Sequence, residues 1–347
     1  MADSNTIVRI GIIGCGEISQ VAHIPNINFL SHNLAHCATK VLGGTPRTTT
    51  DAAELCASPD VDAVLIANAD AYHVEHGILA LQHGKYCLIE KPAASCFRDI
   101  DRLIEAEKSS AGKVFVGTMR RYATAFVDAV SEVGGMSKIQ YARVRDIIGQ
   151  HPFRLGRIRH VELPFQGLCL NSSNRRGNVP DCATQIELGA SLARKLGTHS
   201  LSAMRELLGM PQRVSGAVVG TLPGIFAVLF QYDGFPVSYE SGLSGVPQFD
   251  AHVEVYSPDK IVRVEFDTPY VKGLPVTLTI RERVGEDGFQ ERRIRKTYTH
   301  PYTLELLEFY DCVVGGRTPK TSAADARNDV ELFRLILQTA AASGSFK

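Results

Sequence analysis

The feature that most constrains the fold of this chain is a pair of glycines placed directly after a short apolar run. Residues 7–13 are mostly β-branched and apolar, which predicts a buried parallel strand, and Gly14 and Gly16 follow at its end. Ser19 stands where a third glycine is typical of such turns, and it is small enough for close packing of helix on strand. The strand, turn and helix together favour a dinucleotide-binding turn; an ordinary glycine turn is the alternative.

The chemistry of this turn depends on its backbone. Glycine allows a tight bend and a close approach to a pyrophosphate, and the N–H groups at the start of the following helix carry a partial positive charge that attracts the phosphates. We therefore expect Gly11, Gly14, Gly16, Glu17 and Ile18 to bind the cofactor.

The adenosine side of the expected site departs from the usual pattern. An acidic residue at the end of the second strand normally holds the ribose, about 20 residues after the glycines. Residues 18–50 contain no Asp or Glu and no β-branched apolar run, so we expect the second strand to be missing. Lys40 and Arg47 are the nearby cations. They either face a 2′-phosphate of NADP or are solvated surface charges.

The order of apolar segments predicts two domains. Strand-like and helix-like segments alternate up to about residue 120, which is typical of a doubly wound parallel sheet. Strand-like segments then follow one another without helices between them, which indicates a mostly antiparallel open sheet. We expect an α/β fold with an NAD(P)-binding Rossmann domain over 1–122 and a substrate and oligomerisation domain over 123–347. The helices of 303–347 are expected to pack back. Residues 154–183 have no clear period and are interpreted as a long loop.

Charge and composition exclude several classes of function. Lys plus Arg equals Asp plus Glu at 37 each, so nucleic acid and anionic membranes are not expected as partners. No apolar run is long enough to cross a membrane, and the N-terminus lacks a signal-peptide pattern, so we expect a cytoplasmic protein. The eight cysteines form no CxxC pair and no Cys/His cluster with zinc spacing, so we expect reduced thiols and no metal.

Further motifs follow in order along the chain. Residues 67–73 read Ala-Asn-Ala-Asp-Ala-Tyr-His, residues 84–92 read Gly-Lys-Tyr-Cys-Leu-Ile-Glu-Lys-Pro, and residues 119–122 read Met-Arg-Arg-Tyr. Residues 309–326 complete the set near the C-terminus. Together these segments closely resemble the glucose–fructose oxidoreductase, inositol dehydrogenase and rhizopine-catabolism family, abbreviated Gfo/Idh/MocA. The resemblance covers nearly the whole chain, and its most specific part is the Glu-Lys-Pro tripeptide.

The resemblance implies a nicotinamide-dependent oxidoreductase. It implies NAD or NADP as cofactor, sugars, polyols or related hydroxy compounds as substrates, and a homo-oligomer formed through the C-terminal sheet. Beyond the glycine turn, the cofactor contacts that it implies are Ala67, Asn68, Asp70, His73, Glu90, Lys91, Pro92 and Arg121.

Two catalytic residues are also implied by the resemblance. Hydride transfer at a carbinol needs a group that moves the hydroxyl proton and another that stabilises the alkoxide. Lys91 matches the lysine of the family tripeptide, and His199 matches the family histidine that acts as acid and base; a satisfied histidine at the start of a helix is the alternative for His199.

The match is incomplete near that histidine. The family aspartates close to it are replaced by Lys195 and Ser202. A lysine there would raise the cost of protonating either catalytic group. Two alternatives to a working enzyme therefore stay open, namely a cofactor-sensing regulator of the same family and an inactive divergent or truncated form.

Overall fold

The computed structural model describes residues 6–30, 47–136, 138–149, 186–219 and 225–344, and for residues 186–196 it describes the backbone alone. The region of the expected missing strand, 31–46, and the irregular segment 154–183 lie outside the described residues, as does Lys40. The expectations about them stay predictions.

The first layer is a parallel sheet, as the sequence predicts. Among the described residues its order is β1-β2-β3-β4, and every neighbouring pair is parallel. Its strands are β1 (Ile10–Ile13), β2 (Ala63–Ile66), β3 (Tyr86–Glu90) and β4 (Val114–Gly117). Its helices are α1 (Ile24–Phe29), which continues a π-helical turn over Ser19–His23, α2 (Ala52–Ala57), α3 (His73–Gln82) and α4 (Phe97–Lys108).

The second layer is the mostly antiparallel sheet that the consecutive strands predict. Its order in the described part of the chain is β12-β11-β10-β9-β5-β8-β7-β6, and β5 with β8 is the parallel pair. The strands are β5 (Tyr141–Gly149), β6 (Arg213–Val219), β7 (Ile225–Gln231), β8 (Pro236–Ser244), β9 (Phe249–Tyr256), β10 (Lys260–Phe266), β11 (Thr277–Val284) and β12 (Gly288–Ile294).

Four further helices follow the first sheet along the chain. They are α5 (Thr124–Gly134), α6 (Ile186–Leu208), α7 (Pro301–Gly315) and α8 (Ala323–Ala342). The side chain of Ser322 caps the start of α8, and Gly316, with φ +62°, ends α7 in the left-handed conformation that glycine adopts without strain. The sequence pattern identifies α7 and α8 but does not single out α5, nor α6 with its full length.

The two C-terminal helices pack back onto the first sheet. Phe309 of α7 meets Phe115 of β4 edge to face, with ring centroids 5.5 Å apart. Along α8, Ala326 packs into the core of the first sheet, whereas Phe333 and Ile336 pack into the core of the second. Helix α8 therefore joins the two sheets, whereas α7 packs on the first. The exact domain boundary near residue 122 remains a prediction. Within the described ranges, no helix is long and apolar enough to cross a membrane.

Candidate active site

The glycine turn has the shape that a dinucleotide requires. Gly14 has φ +94°, and a Cβ placed on it would lie 2.6 Å from the backbone nitrogen of Asn68, so no side chain fits there. A Cβ on Gly16 would meet nothing within 4 Å, so the backbone opens onto free space at this point. Ser19 fixes the turn, since its hydroxyl donates to the Gly14 carbonyl at 2.6 Å. Close backbone approach and open space next to a helix start fit a pyrophosphate.

The other glycine-turn residues lie around this opening. A Cβ on Gly11 would come 2.6 Å from a methyl carbon of Leu55, so its glycine serves the packing of α2 on β1. Glu17 is exposed and Ile18 is half-buried, both in the helical segment that follows Gly16. Packing therefore explains why residue 11 is a glycine, and the contact of Gly11 with the cofactor stays a prediction.

The segment after β2 lies against the glycine turn. Ala67 donates its N–H to the Ile13 carbonyl at 2.8 Å, which joins the ends of β1 and β2. Asn68 contacts His76 through its amide nitrogen at 2.8 Å, while its buried amide oxygen has no hydrogen-bond partner among the described residues. A buried oxygen without a partner, next to the phosphate turn, is a position where a cofactor donor fits.

His73 holds two turns together. Its Nδ1 lies 2.8 Å from the carbonyl oxygen of Pro92, and its Nε2 lies 3.2 Å from the carbonyl oxygen of Asn68. The ring is buried, so it acts here as a brace between the loop after β2 and the loop after β3. Asp70 is half-buried and contributes a negative charge near Lys91.

The Glu-Lys-Pro tripeptide occupies the carboxyl end of β3. Glu90 is buried, and its Oε1 lies 2.7 Å from Nε2 of the buried His23. Glu90 Oε2 accepts the backbone N–H of Lys91 at 3.1 Å. Burial opposes ionisation of Glu90, but the hydrogen bond from His23 and the nearby positive charges keep the pKa of this carboxyl below its usual value.

Lys91 lies among charges of both signs. Burial lowers the pKa of its ammonium group and the Arg120 charge acts in the same direction, while Glu90, Asp146 and Asp70 oppose them. The net effect is a pKa below the usual value for lysine. A lysine with a lowered pKa can exchange a proton nearer to neutral pH than a solvated one.

His199 lies next to Lys91, as the family order implies. It is in the interior of α6 rather than at the start of a helix, so that part of the alternative interpretation is wrong. Burial, Lys91 and Arg120 all lower the pKa of the imidazole well below its usual value, so the ring is neutral. Its buried Nδ1 has no hydrogen-bond partner among the described residues.

A buried ion pair next to these two residues was missed in the sequence. Arg120 donates from Nη1 and Nη2 to the two carboxylate oxygens of Asp146, at 2.9 and 3.1 Å, and also to the Ser200 hydroxyl at 2.9 Å. Ser200 in turn donates to Asp146. Asp146 occupies an inward position of β5, on the face of Ala142 and Val144. A carboxylate on an otherwise apolar face is the signal that sequence inspection could have used.

Arg121, by contrast, binds other side chains of this protein. Its buried guanidinium pairs with Glu206 of α6 and with Asp325 of α8. Arg205 of α6 binds the same Asp325 at 2.9 Å and Asp329 at 2.8 Å. These pairs connect the helix that carries His199 to α8. The predicted contact of Arg121 with the cofactor therefore stays a prediction, and its observed partners are structural.

The structure describes one of the two residues that replace the family aspartates, Ser202, but not the side chain of the other, Lys195. Ser202 is buried and donates to the backbone carbonyl of His199 at 3.1 Å, so it faces its own helix. The side chain of Lys195 lies outside the described residues. No group of three side chains that could hold a metal ion occurs in the part of the chain that the structure describes.

Comparison with known proteins agrees with this geometry. Residues 8–118 match the family model for GFO_IDH_MocA, described as an oxidoreductase family with an NAD-binding Rossmann fold. Inositol 2-dehydrogenase 3 of Saccharopolyspora erythraea is 38% identical over 342 residues, which cover 92% of this chain and 88% of the relative. A scyllo-inositol 2-dehydrogenase (NADP(+)) of Bacillus subtilis is 28% identical over 211 residues, 59% of this chain and 54% of the relative.

Solved structures share the fold at low identity. Levoglucosan dehydrogenase in complex with NADH and L-sorbose superimposes with a TM-score of 0.71 at 16% identity, covering 97% of each chain. A putative oxidoreductase of Bacillus subtilis gives a TM-score of 0.73 at 15% identity, covering 99% of this chain and 98% of the other. At such identity the likeness establishes the architecture, with a Rossmann sheet followed by a mostly antiparallel one.

Proposed function

This chain belongs to the Gfo/Idh/MocA family of NAD-binding oxidoreductases, and we propose that it oxidises one secondary alcohol of a cyclic polyol of the inositol type. In coarser terms it is an NAD(P)-dependent oxidoreductase that acts on the CH–OH group of a sugar or polyol. The observation that carries the proposal is the placement of Lys91 beside a neutral, buried His199, at the carboxyl end of the sheet that forms the phosphate turn.

The residues present fit the cofactor. A nicotinamide dinucleotide, when bound, supplies the hydride acceptor. Gly14 and Gly16 would hold its pyrophosphate because no side chain obstructs the backbone there. The Glu90–Pro92 turn, braced by His73, would lie on the nicotinamide side.

The chain's own part in the reaction is to move one proton and to stabilise one negative charge. His199 accepts the hydroxyl proton at an unprotonated nitrogen of its imidazole. Lys91 donates a hydrogen bond to the same oxygen and stabilises the alkoxide as it forms. Arg120 is held by its ion pair with Asp146. The inositol-type substrate follows from the relative at 38% identity, whose name states that activity.

The test combines binding and turnover. Purified protein is melted with and without NAD and NADP, since a ligand that binds the folded state raises the melting temperature. Formation of reduced nicotinamide is then followed with myo-inositol, scyllo-inositol and levoglucosan. We expect turnover of an inositol, and a loss of roughly 10²- to 10⁴-fold in kcat for Lys91→Met. Absence of cofactor binding, or of turnover on every compound, would overturn the proposal.

We also propose that the protein is a homo-oligomer that associates through the outer face of its second sheet. Val218 of β6 and Ile225 and Leu229 of β7 are exposed apolar side chains on neighbouring strands at one edge of that face. Apolar side chains grouped at a surface are typical of protein contacts. Light scattering tests this, and the mass of a single chain would refute it.

A cytoplasmic location is proposed as well. Cys56, Cys87 and Cys312 are buried free thiols, which fit a reducing compartment. Cell fractionation tests the location, and recovery of the protein outside the cytoplasm would contradict it.

A further inference from the structure

A buried histidine that the catalytic scheme does not use contacts the residue next to the catalytic lysine. His23 is fully buried, and its Nε2 lies 2.7 Å from Glu90 Oε1. Because an ionised carboxylate only accepts, the hydrogen of this contact lies on Nε2, and His23 is the donor. The other carboxylate oxygen of Glu90 accepts the backbone N–H of Lys91. Both oxygens of Glu90 are therefore engaged by the protein itself.

The position of His23 in the chain connects this contact to the phosphate turn. His23 ends the π-helical turn that begins at Ser19, and the Ile24 N–H closes that turn on the Ser19 carbonyl. Ser19 also donates to the Gly14 carbonyl at 2.6 Å. A continuous series of short contacts therefore runs from the glycine turn to the lysine. Single π-helical turns of this kind often occur at functional sites.

The ring of His23 has little freedom to move. Tyr302 of α7 packs edge to face against it, with ring centroids 5.3 Å apart. Its Nδ1 is buried without a hydrogen-bond partner among the described residues. The contact with Glu90 is therefore the one polar interaction of this side chain that the structure describes, and packing holds it in place.

We propose that His23 is a positioning residue that holds the Glu90 carboxylate behind Lys91, and so links the seating of the dinucleotide phosphates to the catalytic lysine. This rests on the proposed function of Lys91. Without a donor at His23, burial would favour the neutral form of Glu90. Lys91 would then lose a negative neighbour that supports its ammonium form, and its working pH range would shift downward.

Several charged or titratable groups face these two residues. Around Glu90 and Lys91 they are His23, His73, Asp70, Arg120, Asp146, His199, Tyr302 and Glu305. Glu305 and Tyr302 have pKa values raised well above their usual range by burial and by Glu90, so they stay neutral. His23 is the residue among them that donates directly to Glu90.

The experiment compares pH profiles of kcat/KM for the wild-type protein, His23→Leu and His23→Gln. Leucine removes the donor, whereas the glutamine amide can still donate. One limb of the pH profile should report Lys91 and should be absent in Lys91→Met. We expect His23→Leu to move the midpoint of that limb to lower pH by about one unit and to reduce kcat roughly 10- to 100-fold. His23→Gln should recover most of both. Cofactor affinity, measured by calorimetry, should fall with His23→Leu.

Two further variants keep the test decisive. Asn26→Ala on the same helix removes buried hydrogen bonds to Ala22 and Thr303 and does not touch Glu90, so it should destabilise the protein without moving the pH midpoint. Glu90→Gln should shift the midpoint in the same direction as His23→Leu. It provides the same test if His23→Leu does not fold.

The outcomes separate this inference from the proposed function. An unmoved midpoint in Glu90→Gln, or a His23→Leu profile that matches Asn26→Ala, would refute the inference while leaving Lys91 as the catalytic residue. An unaffected Lys91→Met enzyme would instead refute the proposed function.

Discussion

Glu305 of α7 should make the stability of this protein fall as the pH rises. Its side chain is completely buried, and neither carboxyl oxygen has a hydrogen-bond partner among the described residues. Burial and the neighbouring Glu90 charge raise the pKa of Glu305 well above its usual value, so the folded protein keeps this proton. The unfolded chain releases it above pH ~4.3. Folding therefore takes up a proton, and higher pH disfavours it.

The magnitude follows from proton linkage. Each pH unit between the unfolded and the folded pKa removes about 1.4 kcal/mol from the free energy of unfolding. For a carboxyl that stays protonated in the folded protein throughout this range, the loss between pH 5 and pH 7 is about 2.5 kcal/mol, because the unfolded glutamate is already partly ionised at pH 5. Glu305→Gln keeps the shape and removes the titration. The stability of the variant relative to the parent should therefore rise by that amount over this interval.

Urea denaturation of the cofactor-free protein at pH 5, 6 and 7 provides the measurement. Glu308→Gln is the matched control, because Glu308 lies on the same helix, is partly exposed and pairs with Arg317 at 3.4 Å. A gain in stability with pH that Glu305→Gln shows and Glu308→Gln does not would assign the effect to the buried acid. Parallel stability curves for Glu305→Gln and the parent would refute the assignment of a neutral buried acid.

The remaining predictions concern the glycine turn and the buried ion pair. Gly14→Ala should destabilise the cofactor-free protein by about 2 kcal/mol or more, because its positive φ strains any side chain and the Cβ would overlap the facing backbone. Gly16→Ala should melt like the wild type, because its Cβ meets nothing, and should bind cofactor at least about tenfold more weakly. Equal melting losses in the two variants would contradict this. Asp146→Asn should lower the free energy of unfolding by about 3–5 kcal/mol, because the buried Arg120 loses its counter-charge. Ser200→Ala should lower it by about 1 kcal/mol. Denaturation midpoints measure both, and similar losses would show that Arg120 has another partner.

Most of the local structure of this chain can be predicted from its sequence. The four parallel strands, the glycine turn, the Glu90-Lys91-Pro92 turn and helices α7 and α8 were all predicted, because each depends on apolar period, on glycine geometry or on a short motif. Helix α5 was not identified.

The surroundings of the catalytic residues were much less predictable. Motif order implies Lys91 and His199. The sequence marks Asp146 as a carboxylate on an apolar face but does not indicate that Arg120 is its partner. Arg121 is expected at the cofactor, yet it pairs with carboxylates of α6 and α8. The partners of a charged side chain depend on which strands and helices the fold brings together. A short motif carries no information about residues that it does not contain.

The sequence by itself determined the dinucleotide turn, the alternation of strands and helices around the first sheet, and the family. Only the tertiary structure decided which buried charges meet: His23 and Glu90 are 67 residues apart, and Arg121 and Asp325 are 204 apart. The physical reason is that periodicity and turn chemistry act over a few neighbouring residues, whereas a buried charge is stable only where a distant partner satisfies it. That partner is set by how the two sheets and α8 pack around the site.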